Sequence, residues 1–311
     1  MNKIQKEISQ LWDEVLEKLS NDSIEIAWDR KFLDLLNERE KESRKQAVKH
    51  LEPWISILNE GIQWLTQLHI ALSLALSGDF EKDKEILVPF ALVGSACAHS
   101  VAIRRLILSG LDSSAKVLLR TLIETLNVCI AVMDNIVLSN EFRAAQDFEI
   151  SKKFWNQKLS PSKLNSILTK IEKSLALDDE AMDDLKGWRE ETLSLCSQYV
   201  HPSYVASLLG AEPPSVLYPY NHSPGILGKT SITSLRTLPE VCKAIWYFSR
   251  IGIEVLMKFA KQQGEGSPAW QAFQGDNATA FVIGREIYSK IILRYWDYKT
   301  PDIFEEDNKV E

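Results

Sequence analysis

Apolar residues recur along most of this chain at intervals of three and four, the spacing that gathers them on one face of an α-helix. Residues 2–19 carry Ile4, Ile8, Leu11, Trp12 and Leu16 on such a face. Asp22 and Glu25 then read as a capping pair for a second helix bearing Ile26, Trp28, Phe32 and Leu36. The mixed charges from Glu38 to Lys49 suit a solvated helical face. A third helix is predicted from near Pro53 to Ser77, a strongly apolar one from Lys84 to Ser109, and another from Asp112 to Asn135. Only Gly110 and Leu111 separate the last two, so they are expected to pack antiparallel.

Beyond them, helices are predicted over 141–158, over 162–176 behind the helix-opening Ser160-Pro161, and over 179–200. The buried face of the last would be Leu185, Trp188, Thr192, Leu195 and Tyr199. Five prolines and three glycines between His201 and Thr230 break the periodicity, and this stretch reads as a long irregular loop. Thr237 and Glu240 frame a capping box for a helix running to Gln263. A final helix over 277–295 is expected to pack through Phe281, Ile283, Ile287, Ile291 and Trp296. The fold class is therefore all-α, a multi-helix bundle. It divides into an N-terminal helical segment over 1–50, a helical core over 51–263, and a C-terminal helical extension and tail over 264–311.

Composition narrows the functions. A formal net charge of -7 argues against nucleic-acid binding driven by overall charge, though it leaves room for a small basic cleft. Cys97, Cys129, Cys196 and Cys242 lie far apart in apolar stretches with no CxxC pair. Reduced, buried thiols and a cytoplasmic setting follow, with no metal and no cofactor expected. The N-terminus shows no apolar signal core. Ile86 to Ile103 approaches the length of a membrane span, but Pro89, Gly94, Ser95, His99 and Ser100 interrupt it and Arg104-Arg105 follow. A core helix, with no membrane partner, is the expectation.

Signatures for hydride transfer, nucleotide-driven phosphoryl transfer, zinc proteolysis and serine hydrolysis are missing. The most informative chemistry lies in the helix after Asp112, which is apolar almost all round. Lys116, Arg120, Glu124 and Asn127 nevertheless fall on one line along it, at spacings of four, four and three. Buried charges must be paired or face a wet cavity. Two readings stand: an internal Arg120–Glu124 pair that fixes packing, or one wall of a functional cleft. His99, on the preceding helix just before Arg104, reads as a core histidine or as an addition to that cleft. His201 reads as a C-terminal helix cap or as an acid/base group. His222 falls in the Tyr/Pro-rich loop, and His50 and His69 have no informative neighbours.

Three stretches carry a resemblance: Ala96-Cys97-Ala98-His99, Ser114-Ala115-Lys116-Val117-Leu118-Leu119-Arg120-Thr121-Leu122-Ile123-Glu124, and Ser197-Gln198-Tyr199-Val200-His201-Pro202-Ser203. Over roughly residues 60–260 the chain resembles the helical family DUF5677, which is similar to HEPN domains of prokaryotic antiviral defence and toxin systems. The resemblance implies a HEPN-like core and metal-independent ribonuclease-like activity. In that chemistry an arginine holds the scissile phosphate, and a histidine with four to six residues between them moves the proton of the attacking 2′-hydroxyl. His201 matches the histidine, but Ser194, Leu195 and Cys196 stand where the arginine belongs, and Arg189 is too far upstream. The candidate catalytic set is accordingly His201, Arg120 and Glu124, with Lys116, Asn127, His99 and Arg104 as substrate-binding candidates. The implied partners are RNA and either a protein partner or a second copy of the chain. The alternative is a non-catalytic interaction or sensor module on the same bundle, which the missing arginine and the acidic charge favour. A conventional metabolic enzyme ranks third, for want of a cofactor motif.

Overall fold

A computed structural model of the chain describes residues 32–201, 203–211, 230–231 and 233–296, with six isolated helical positions between Lys6 and Glu17. The chain divides into two compact units, Met1–Glu38 and Arg39–Glu311, and the second contains the core of the bundle. The capping pair at Asp22 and Glu25, with Ile26 and Trp28, lies outside the described residues.

The helical periodicity is realised in the fold. About 85% of the structure is helical, and the described residues contain no strand. In chain order the helices are α1 (Phe32–His50), α2 (Trp54–Leu74), α3 (Phe80–Asp83), α4 (Leu87–Leu108), α5 (Asp112–Asp134), α6 (Ile136–Ala144) and α7 (Phe148–Phe154). A π-helical turn, Trp155–Leu159, leads into α8 (Pro161–Ser174), α9 (Asp179–Val200) and α10 (Tyr204–Ala211). Next come α11 (Ser234–Tyr247), a second π turn (Phe248–Gly252), α12 (Ile253–Gln263), α13 (Pro268–Gln271) and α14 (Gly275–Arg294).

α5 is the hub. It packs along α4 and also touches α8, α9, α11 and α12, and its buried residues lie on every side from Leu119 to Met133, as its all-round apolar sequence requires. The α4–α5 hairpin is closed by Gly110 at φ 79°, a conformation that favours glycine. There Leu111 N–H donates to the Leu106 carbonyl and Gly110 N–H to that of Ile107, which satisfies two end carbonyls of α4. By length and composition α4 could cross a membrane; in the bundle its Val93, Ala96, Ser100, Ile103 and Ile107 are buried, and it packs on α2 and α5.

Several expectations are corrected. The segment read as one helix over 141–158 is broken before Phe148, where Asp147 accepts hydrogen bonds from the Glu149 and Ile150 N–H groups and starts α7 afresh. The stretch read as irregular from His201 to Thr230 includes α10, whose apolar run Tyr204–Ala211 sustains two turns; residues 212–229 lie outside the described set. α11 begins a turn before the proposed Thr237–Glu240 box, because Asp112 at the start of α5 accepts the hydroxyls of Thr233 and Ser234 and fixes the helix start there. Glu240 turns away instead and accepts from Trp188 and Thr192 of α9. In α14, Phe281, Tyr288 and Ile292 are buried while Ile283 and Ile287 are half exposed, so its inner face is rotated from the one expected. Gly61 of α2 makes this docking tight: a Cβ there would sit 2.8 Å from the Tyr288 hydroxyl, which donates to the Cys242 carbonyl.

Candidate functional site

The site forms where α9 crosses α5 and α8. The buried positions of α9 are Met182, Arg189, Thr192 and Cys196, an apolar ridge interrupted by a charge and a hydroxyl. Apolar burial alone holds this helix weakly, so polar ties dock it on three sides. Toward α5, Tyr199 accepts from Lys116 Nζ at 3.2 Å, and Ser197 accepts from Arg120 Nη1 at 2.7 Å. Toward α11, Glu240 takes the Trp188 indole N–H and the Thr192 hydroxyl.

The third tie is the most buried. Arg189, 1% exposed, donates to both carboxylate oxygens of Glu172 on α8, which is 0% exposed. Tyr247 of α11 completes it, donating to Glu172 Oε1 at 2.7 Å. Arg189 Nε donates to Asn165 Oδ1 at 3.1 Å, and Asn165 Nδ2 donates onward to Glu190 at 2.8 Å. Burial pushes the Tyr247 phenol well above its ordinary pKa, so it stays a neutral donor.

The polar line on α5 divides into two halves with different surroundings. Lys116 is buried against Asp112 at 2.7 Å, with Tyr199 beside it. Arg120 Nε lies 3.0 Å from Glu124 Oε1, the contact expected from their spacing, but both side chains keep about a quarter of their surface, 23% and 27%. Among the described residues the deeply buried pairs are therefore Asp112–Lys116 and Glu172–Arg189. We predict that Glu124→Gln costs only about 0.2–1 kcal/mol of stability, as a part-exposed pair should. A urea titration showing a loss above about 3 kcal/mol, the range of a broken buried pair, would contradict that placement.

Glu124 and Asn127 face a cavity of about 250 Å³. α8 contributes Pro161, Ser162, Leu164, Asn165 and Leu168, α9 contributes Arg189, Glu190 and Leu193, and Trp155 of the first π turn closes one side. The remaining candidates lie elsewhere. Arg120 and Lys116 point to the C-terminal end of α9 and do not line the cavity. His201 occupies the C-cap of α9, where its backbone N–H reaches the Ser197 carbonyl at 3.2 Å and its side chain is exposed. His99 shares a hydrogen bond with Ser95 within α4, and its burial lowers its pKa. Arg104 Nε donates to Asn59 on α2. His222 lies outside the described residues. The structure thus brings together Glu124 and Asn127 with Arg189, Asn165 and Glu190, and does not add His201, His99 or Arg104 to them.

Cys196, behind Lys116 and Arg120, has its thiol pushed up to about 12 by burial. Among the described residues no three His, Cys, Asp or Glu side chains gather in a metal-binding group. No protein-family model, no curated protein and no solved structure matches the chain.

Proposed function

We propose that this chain is a non-catalytic binding module, a HEPN-like sensor or interaction protein of a prokaryotic defence or stress system working in the cytoplasm. One observation carries the reading: the cations of the site are committed to partners within the protein, while the histidine stands outside the cavity. Cleaving a phosphodiester needs a cation and a proton-transfer group turned toward the same phosphate. Arg120 is engaged by Glu124 and Ser197, Lys116 by Asp112 and Tyr199, and Arg189 by Glu172. What remains open is an apolar hollow with a few polar groups, the composition of a small-ligand pocket.

The test is His201→Ala in an RNA-cleavage assay on a mixed-sequence substrate. The binding-module reading predicts no cleavage by the wild type above a buffer control, and a variant indistinguishable from it. Wild-type cleavage that falls by about 10² or more in the variant would restore the ribonuclease reading, because that is the loss general acid–base chemistry shows.

A further inference from the structure

The cavity beside Asn127 has a chemical preference of its own. Asn127 is 3% exposed, lines the cavity, and makes no side-chain hydrogen bond with any described residue. Its polar atoms are not among the buried side-chain atoms sealed off without a partner, so the amide keeps access to the space of the cavity, where a ligand can pair with it. The amides and charges around it are already matched: Asn165 bridges Arg189 and Glu190, Glu172 neutralises Arg189, and Arg120 neutralises Glu124. Of the buried polar side chains that line the cavity, Asn127 is the one with an unused donor and an unused acceptor. The opposite wall is apolar, formed by Leu164, Leu168, Leu193 and Trp155. Trp155 stands on a π turn, a helix irregularity found often at functional sites.

Charge narrows the ligand further. Glu190, at the rim, is held by the neutral Asn165 amide and has no cationic partner among the described residues. The charge left without a counterion along this cavity is therefore negative, and an anion entering would meet it with no cation to spare. Volume sets the size: about 250 Å³ is the liquid volume of about eight waters, enough for one or two fused rings. Resting on the binding-module reading, we propose that this cavity binds a small, flat, uncharged molecule with an apolar body and one amide-like edge, which pairs with the side chain of Asn127.

Titration calorimetry with three probes of one shape tests this: indole, indole-3-carboxamide and indole-3-carboxylate. The full chain is expected to bind the carboxamide at least about tenfold more tightly than the carboxylate, and more tightly than plain indole, since only the carboxamide offers the Asn127 amide a neutral donor and acceptor beside the Glu190 carboxylate. In Asn127→Leu the carboxamide should lose its advantage over indole while indole still binds. Leu193→Trp, which fills the hollow from the α9 side, should abolish binding of all three and serves as a check if the first variant folds poorly. Carboxylate bound as tightly as carboxamide, an amide preference surviving in Asn127→Leu, or no saturable binding of any probe would each overturn the proposal. The RNA assay fails separately: cleavage dependent on His201 would remove the non-catalytic reading whatever the probes do here.

Discussion

Glu172→Ala is expected to lower the unfolding free energy by about 3–5 kcal/mol, the cost of leaving a buried charge without its partner. Arg189 is 2% exposed at its side chain and has no other anion in contact among the described residues, since its remaining partners are the neutral Asn165 and Tyr247. The variant therefore strands a guanidinium between α8, α9 and α11. Replacing the group as a whole, with Glu172→Leu, Arg189→Met and Tyr247→Phe together, should recover most of the loss, because apolar side chains of similar volume often substitute for a buried ion pair at little cost. Urea unfolding read at constant slope checks both variants. A single-variant loss below about 1 kcal/mol, the range of exposed pairs, would show that water reaches Arg189 and that the network is not sealed.

The second large effect is expected at Asp112. Its carboxylate is 2% exposed and accepts from Lys116 Nζ at 2.7 Å, from the Thr233 hydroxyl, and from Ser234 Oγ at 3.0 Å. It also stands in the first turn of α5, where a negative charge complements the helix dipole. One side chain thus joins the starts of α5 and α11 and neutralises a buried lysine. Asp112→Ala should cost about 3–5 kcal/mol, and Lys116→Met in that background should restore part of it by removing the stranded charge. A double-mutant cycle gives the coupling directly. Additive losses would mean that Lys116 reaches solvent once Asp112 is gone.

Much of this fold is legible in the chain because its core obeys the helical period. The α4–α5 hairpin follows from a short connection with Gly110, and the apolar spacing bounds α9 correctly at Asp179 and Val200. Differences arise where a tertiary hydrogen bond overrides a local signal. Thr237 and Glu240 have capping-box spacing, but Asp112, more than a hundred residues earlier, sets where α11 starts. The site is half visible. The polar line on α5 points to Glu124 and Asn127, which do face the cavity.

Glu172 and Arg189 are absent from the candidates read from sequence, although a signal is present. Arg189 falls on the same ridge as Met182, Thr192 and Cys196, and Glu172 follows Leu164, Leu168 and Ile171 on α8. A lone acid on one apolar stripe and a lone base on the stripe of the next helix make a pairing that spacing can suggest. The arginine–histidine motif hides it, because that motif weighs Arg189 only by its distance from His201. What no periodicity reveals is that Asn127 has no hydrogen-bond partner among the described residues, since that depends on three helices meeting around a hollow.

Whether Asn127 serves binding and not the fold is tested most directly by the stability of Asn127→Leu. The two side chains are close in shape, and the amide makes no hydrogen bond with any described residue. Leucine would bring an apolar group to an apolar wall and remove a poorly satisfied polar one. The unfolding free energy should then be unchanged or raised by up to about 1 kcal/mol, the usual direction when a residue kept for function is replaced. A loss of more than about 1 kcal/mol, the worth of a typical hydrogen bond, would show that Asn127 is part of the structural hydrogen bonding of the bundle, and would contradict the claim that the cavity is a binding site.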